Sequence, residues 1–269
     1  MTMNSSQTQF FHCYATANDM PSFATDLKNL KRLKEQDPGV DAVQLFVAIS
    51  EVNPVGEHDH NFIDRVKQLF ANHPFIKLCS IFHKSNVGRD FSSFNHMLDK
   101  VTPLAASDDY VFFQNRSGHG PYLKNWYKDF INQFQRFDKV AICGSTINFY
   151  DLHLRSDSND LPHVQTYAFL SNMHYLNQLE GGFPGRKETE KENVITNGEI
   201  GLSQEFLDLN YKLTCMEWPD LAIDKKSKPP ASRDVRTVVK QKHAFYHRIY
   251  FKPTKTIKRI LGINKYKMN

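Results

Sequence analysis

The feature that most constrains this fold is an alternation of short apolar segments with amphipathic ones over the first 150 residues. The apolar segments, which predict strands, lie at residues 10–16, 41–50, 75–82, 108–115 and 139–149. The segments between them have helical spacing, as Leu27, Leu30 and Leu33 show in the first. Because buried strands that alternate with helices form sheets covered on both faces, the sequence predicts an α/β fold with a mainly parallel sheet flanked by helices.

The pattern after Phe149 is less regular. We expect a polar loop, two helices and a short strand there, at residues 151–163, 164–179, 198–210 and 214–218. Residues 226–232 read Lys-Ser-Lys-Pro-Pro-Ala-Ser, a composition typical of a linker. The predicted organisation is one domain over residues 1–224, with a basic helical extension over residues 225–269.

Charge is divided unevenly along the chain, although the net charge is only +5. From Lys225 onward there are fourteen Lys and Arg and one acid, Asp234, whereas the preceding residues carry twenty basic and twenty-eight acidic side chains. The apolar spacing within this basic segment predicts a contact with an anionic membrane surface. A solvated helix that aids solubility is the alternative. Nucleic acid is disfavoured, because the main body is acidic and contains no recognisable recognition module.

The sequence lacks the features that are typical of several classes of protein. No stretch approaches the roughly 20 apolar residues of a membrane-spanning helix, and the N-terminus lacks the pattern of a secretory signal. The four cysteines are far apart, which predicts reduced thiols in a cytoplasmic protein. The dinucleotide-binding, P-loop, zincin and nucleophile-elbow motifs are absent from the sequence.

Polar residues collect where four of the predicted strands end. In open α/β sheets, ligands bind outside the carboxyl ends of the strands. The candidate ligand-binding residues at these ends are Tyr14, Thr16, Glu51, Asn86, Gly88, Arg89, Asp90, Asn115, Arg116 and Ser117.

The loop at residues 86–90, Asn-Val-Gly-Arg-Asp, has the most suggestive chemistry. Gly88 can adopt positive φ or permit the close approach of a ligand, and Asn86 offers both a donor and an acceptor. Arg89 presents a planar fork that suits diphosphate oxygens, or it forms a surface ion pair. Asp90 can accept from sugar hydroxyls, or it simply caps the next helix.

The order of these motifs resembles a family of bacterial glycosyltransferase-like proteins. The similar segments are Asn-Val-Gly-Arg-Asp-Phe at 86–91, the strand and Gly-Pro element at 108–123, and residues 139–149 and 162–172. These proteins occur in capsule and cell-surface polysaccharide loci and are related to rhamnan-synthesis proteins. The resemblance covers roughly residues 9–218. It implies a GT-A fold in which residues 1–150 bind a nucleotide sugar and residues 151–224 bind a glycan or lipid-linked glycan acceptor.

One departure from the family concerns the metal. Many GT-A enzymes end the fourth strand in Asp-x-Asp, which holds Mn²⁺ or Mg²⁺, but this chain has Asn115 and Ser117 there. Neutral ligands bind a hard cation much more weakly than carboxylates do. Either Arg89 and Arg116 neutralise the diphosphate without a metal, or acids such as Asp90 or Glu51 supply the ligands. His119 could assist in both cases, or it is an ordinary turn residue.

The resemblance also implies a general base in the second half, because inverting sugar transfer requires deprotonation of the acceptor hydroxyl. Glu199, at the start of a predicted helix, suits this role, although an acid is also common in a first turn for electrostatic reasons. His163 is an alternative base, or a structural histidine. Gln165 and Ser203 are candidates for binding the acceptor. The missing Asp-x-Asp also leaves a non-catalytic sugar-binding or scaffolding protein as the alternative function.

Overall fold

A computed structural model describes residues 7–149, 161–227 and 239–251 of the chain. The strands are β1 Phe10–Ala17, β2 Val43–Glu51, β3 Ile76–Ser85, β4 Tyr110–Asn115, β5 Gly118–His119, β6 Val140–Gly144, β7 Ile147–Asn148, β8 His163–Val164, β9 Ala168–Asn172, β10 Lys212–Cys215, β11 Ala222–Ile223 and β12 Tyr246–His247. The α-helices are α1 Ala24–Glu35, α2 Glu57–Phe70, α3 Arg89–Val101, α4 Trp126–Gln135, α5 Met173–Leu176, α6 Lys191–Asn193 and α7 Gly201–Asp208. A π-helix, Val194–Ile200, joins α6 to α7, and 3₁₀ turns occupy Thr102–Leu104 and Arg248–Phe251.

The main sheet has the strand order β11-β10-β6-β9-β4-β1-β2-β3. β1 pairs in parallel with both β2 and β4, β2 pairs in parallel with β3, and β6 with β10. β9 runs antiparallel between β4 and β6, and β11 is antiparallel to β10. The predicted α/β class, with a mainly parallel sheet flanked by helices, is therefore confirmed.

The sheet separates two hydrophobic layers. On one face, α3 and α7 pack their apolar sides against the strands through residues such as Phe94, Met97 and Phe206. On the other face, α1, α2 and α4 contribute Leu30 and Phe62 among others. The helical spacing seen in the sequence is the direct result of this one-sided burial.

The sequence interpretation of residues 164–179 missed a strand. The chain forms β9 there and then only the single turn of α5, whereas the sequence predicted a run into a longer helix. The first four residues of β9 are buried on both faces of the sheet. A strand buried on both faces loses the alternation that distinguishes it from a helix, which explains the error.

Residues 239–251, which belong to the predicted C-terminal tail, pack against the body instead of extending from it as a helix. Phe245 is fully buried against the rings of Phe112, Trp126 and Phe130. β12 pairs with β5, and a 3₁₀ turn follows it. These contacts extend the packed structure beyond the expected boundary at residue 224. Residues 228–238, which include most of the predicted linker, and residues 252–269 lie outside the described residues.

Candidate functional site

The carboxyl ends of β3 and β4 meet around Asp90 and Asn115. The Asn115 side-chain amide donates to Asp90 Oδ2 over 2.8 Å, and Asn115 Oδ1 accepts from the Ser117 backbone N–H over 2.8 Å. Asp90 is not the N-cap of α3, because Gly88 occupies that position with φ of 69°. The half-buried carboxylate of Asp90 therefore points to the sheet edge and not to the helix end.

A buried lysine that the sequence interpretation missed lies beside this pair. The Lys84 side chain, 7% exposed, donates from Nζ to the backbone oxygens of Val87 (3.1 Å) and Arg89 (2.9 Å). Burial lowers its pKa to about 8, and the Asp90 carboxylate opposes that shift. Burial likewise raises the pKa of Asp90, opposed chiefly by Lys84. β3 also contains Lys77 and His83, so its sequence gives no signal that Lys84 is the buried cation.

The structure gives Gly88 and Arg89 different roles. A Cβ on Gly88 would lie 2.0 Å from the backbone oxygen of Arg186, and the Gly88 N–H donates to the Glu188 oxygen over 2.8 Å. The glycine is thus required by a neighbouring loop of the protein itself. Arg89 has φ of 46° and an exposed side chain, and its N–H donates to the Asn86 oxygen over 3.2 Å. The turn therefore holds the Arg89 guanidinium in solvent near Asp90.

Arg116 is engaged by acids of the protein. Its Nε donates to Asp26 Oδ2 over 2.9 Å and one Nη donates to Thr16 Oγ1 over 2.9 Å, while another contacts Asp19. Tyr14 Oη and Thr16 Oγ1 donate to Asp26 Oδ1 over 3.0 and 2.6 Å. Burial raises the pKa of Asp26, and Arg116 opposes the shift. Tyr14, Thr16 and Arg116 therefore already have hydrogen-bond partners within the protein. A contact with a donor, as predicted from the sequence, would compete with these hydrogen bonds.

The two further candidates are Glu51 and His119. Glu51 ends β2 and is exposed. His119 stacks on the ring of Phe251, with centroids 5.3 Å apart. Burial and the nearby cations, chiefly Arg32, lower the pKa of His119. His119 therefore belongs to the surface formed with residues 239–251.

The second half of the chain assembles a cluster around Glu199. Glu199 Oε1 accepts from Gln165 Nε2 over 2.7 Å, and Oε2 accepts from Thr166 Oγ1 over 3.3 Å. His163 Nε2 lies 3.7 Å from Glu199 Oε1, while His163 Nδ1 donates to the Leu161 oxygen over 2.6 Å. The structure thus brings together three of the candidate residues, Glu199, His163 and Gln165, and adds Thr166.

Two details of this cluster differ from expectation. Glu199 lies in the π-helix and not in the first turn of an α-helix, so the helix-terminus argument does not apply to it. A π-helical turn is rare and commonly occurs at functional sites. Ser203 is fully buried, and its Oγ accepts from the Val164 backbone N–H over 2.9 Å. This hydrogen bond joins α7 to β8.

The Asp90 and Glu199 clusters are neighbours. The Asn115 N–H donates to the Tyr167 oxygen over 3.2 Å, and Tyr167 directly follows Thr166, a partner of Glu199. A Cβ on Gly198 would lie within 2.7 Å of the ring of Phe91, which directly follows Asp90 in α3. The carboxyl ends of β3 and β4 therefore lie close to the π-helix.

The residues at this site do not fit a divalent cation. The described part of the chain contains no group of three or more His, Cys, Asp or Glu side chains arranged to hold a metal ion. Hard cations take several oxygen ligands, commonly carboxylates. Beside Asp90 the site offers the neutral Asn115 and the ammonium of Lys84, which would repel a cation.

No family model matches the chain, and no curated protein matches it in sequence. Solved structures that match the chain include a mannosyltransferase from Pyrobaculum calidifontis in complex with GDP-Man and Mn²⁺, at 12% identity and a TM-score of 0.49, over 78% of this chain and 55% of that one. Mouse xyloside xylosyltransferase 1 matches at 10% identity and a TM-score of 0.43, over 79% of this chain and 86% of that one. The inositol-1-phosphate CTP transferase from T. maritima matches at 11% identity and a TM-score of 0.42, over 78% of this chain and 85% of that one. The chain spans about half the length of the mannosyltransferase.

Proposed function

We propose that this protein is a glycosyltransferase that moves a sugar from a nucleotide-sugar donor to a glycan acceptor. The observation that carries the proposal is the placement of the Asp90–Asn115 pair beside the Glu199 cluster at the carboxyl ends of the strands. Ligands of open α/β sheets bind at this edge. One cluster has the hydrogen-bonding groups to hold a sugar, and the other has a carboxylate to act as base.

Each group has a distinct role in the proposed reaction. Asp90 and Asn115 accept from and donate to the hydroxyls of the donor sugar. Lys84 and Arg89 offset the charge of the diphosphate. Glu199, oriented by Gln165 and Thr166, takes the proton of the acceptor hydroxyl, and that oxygen bonds to the anomeric carbon as the bond to the diphosphate breaks. The nucleoside diphosphate leaves, and the configuration of the sugar inverts.

His163 is the alternative base. Its Nδ1 is fixed by the Leu161 oxygen, so its Nε2 faces Glu199. A proton that reaches Glu199 could also be shared with this nitrogen, which would make the two groups one catalytic unit. If Glu199 is the base, substitution of Glu199 removes turnover. If His163 is the base, substitution of His163 does so.

The acceptor and the location of the protein are finer proposals. The sequence resemblance favours a bacterial surface polysaccharide, such as capsule or O-antigen, or its lipid-linked precursor. The basic C-terminal residues favour a peripheral position on the inner face of the cytoplasmic membrane. No helix within the described ranges is long and apolar enough to cross a membrane.

A non-catalytic sugar-binding or scaffolding protein is the second candidate. The observation that favours it is the absence of a carboxylate pair at the end of β4, where Asn115 and Ser117 stand. Such a protein would retain donor binding at Asp90 and have no turnover.

Calorimetric titration of the full chain with UDP-, GDP-, CMP- and TDP-sugars tests the proposed site. We expect one donor class to bind, and Asp90→Ala to weaken that binding about tenfold or more, since a hydrogen bond to a charged group contributes about 1.5–3 kcal/mol. Asp99→Ala, an exposed change on the same helix, is the control and should leave the affinity unchanged. Absence of binding to every donor, or equal affinities for the Asp90 and Asp99 variants, would contradict the proposal.

A further inference from the structure

A second polar surface lies on the face of the sheet that carries α1, α2 and the C-terminal segment. At the end of that segment Tyr246 stacks on Tyr250 at 4.6 Å, and Tyr250 contacts Phe251 at 5.3 Å. Tyr122 joins them, 6.1 Å from Phe251. Tyr250 and Phe251 are 41% and 48% exposed. We name these four rings the aromatic cluster.

Cations surround the aromatic cluster. The Arg32 guanidinium lies 4.7 Å from the Tyr122 ring centroid. Arg32, Arg248 and Lys28 are close enough to His119 that each lowers the pKa of that histidine. The cluster is therefore the aromatic edge of a positively charged surface.

The same charge continues along α1. An open groove of about 460 Å³ between α1 and α2 is lined by Lys28, Lys31, Lys34, Arg65 and four uncharged residues. Glu35 pairs with Lys31 at 3.7 Å between two exposed side chains, which offsets little of the charge. We call the groove cations together with Arg32, Arg248 and the aromatic cluster the basic–aromatic face.

Residues 239–251 are fixed in place on this face. The Glu217 carboxylate accepts from the Lys240 and Gln241 N–H groups over 2.8 and 3.1 Å and lies 2.7 Å from His243 Nε2. Phe251, the last described residue, is directly followed by residues 252–269, which carry six Lys and Arg and no acid. Phe251, and with it the attachment point of these basic residues, therefore lies on the basic–aromatic face.

We propose that the basic–aromatic face docks on an anionic lipid bilayer, independently of the sugar transfer proposed above. Tyrosine and other amphipathic rings favour the level of the lipid headgroups, and each Lys or Arg near an anionic surface contributes about 1 kcal/mol. Single-stranded nucleic acid is less suited, because base stacking needs free ring faces, whereas Tyr246 and Tyr250 already stack on each other. Docking through a folded face would also fix the orientation of the protein on the membrane, which a basic tail alone would not do.

Co-sedimentation of the full chain with vesicles tests this proposal. The vesicles contain phosphatidylcholine either alone or mixed with phosphatidylglycerol, at low and high salt. We expect the double variant Lys28→Glu/Lys34→Glu to lower partitioning to anionic vesicles about tenfold or more. Tyr250→Ala/Phe251→Ala should also lower it. The matched control is Lys100→Glu/Lys191→Glu, which places the same charge change on exposed sites outside the face and should have a smaller effect.

Three outcomes would overturn the proposal. The first is equal partitioning of the Lys28/Lys34 and Lys100/Lys191 variants. The second is complete loss of vesicle binding on deletion of residues 252–269 alone, with no effect of the face variants. The third is retention of labelled single-stranded RNA by a protein that does not bind the vesicles. Donor titration of the same variants should be unchanged, so failure of docking and failure of the proposed sugar transfer are distinguishable.

Discussion

At the scale of single residues, the site is a set of partners that sequence reasoning identified in part. Asp90 and Asn115 were candidates because polar residues at strand ends are typical of α/β ligand sites. Glu199 was a candidate because it was expected at the start of a helix, whereas it lies within the π-helix. Lys84 was not predictable, since nothing in a strand sequence distinguishes a buried ammonium from an exposed one. Asp26 was missed because its partner, Arg116, is distant in sequence and meets it only in the fold.

Lys84 leads to a prediction about pH. Its pKa in the folded protein is lowered to about 8, so the ammonium charge is present below that pH and lost above it. We therefore expect donor affinity to fall as the pH rises through about 8, and Lys84→Met to be weaker by about tenfold near neutral pH and to lack this pH step. Calorimetric titration at several pH values measures both effects.

The control for that experiment is Lys77→Met, an exposed lysine on the same strand. It should keep both the affinity and the pH step of the unmodified protein. An identical pH profile for the Lys84 variant and the unmodified protein would show that the ammonium does not contact the donor.

At the scale of elements, the apolar periodicity of the sequence predicted those helices and strands whose conformation follows from their own residues. The four helices α1 to α4 and the strands between them have one-sided or continuous apolar patterns, and the structure confirms them. β9 and residues 239–251 were misread because their conformations depend on distant partners: β9 fits between β4 and β6, and Phe245 fills a site among α4 and β4 side chains.

Glu217 provides a test of the C-terminal packing. Its buried carboxylate is the shared partner of two backbone N–H groups and His243. Glu217→Ala would leave these groups unsatisfied, so we expect it to lower the free energy of unfolding by about 3 kcal/mol and to expose residues 239–251 to proteolysis. Asp220→Ala, which removes an exposed partner of Arg136, should cost no more than about 1 kcal/mol. Chemical denaturation of both variants gives the comparison, and equal losses would contradict the proposed role of Glu217.

At the scale of the whole molecule, the division into body and tail changes. The sequence predicted a body that ends at residue 224, followed by a basic helical extension. Phe245 is buried among aromatic side chains of the body, so a truncation at residue 224 would uncover a large apolar area. A deletion that removes only the basic terminus therefore begins after Phe251.

The central claim is that Glu199 acts as a base beside a bound donor, and one comparison tests it most directly. Transfer to a glycan acceptor and donor affinity are measured for the unmodified protein, Glu199→Gln and the exposed control Glu192→Gln. Because general-base catalysis contributes about 10²–10⁴-fold, we predict that Glu199→Gln lowers turnover at least about 100-fold while donor affinity changes less than about twofold. Unchanged turnover in Glu199→Gln, together with loss of turnover in His163→Asn, would contradict the claim. Absence of turnover in the unmodified protein would contradict it as well.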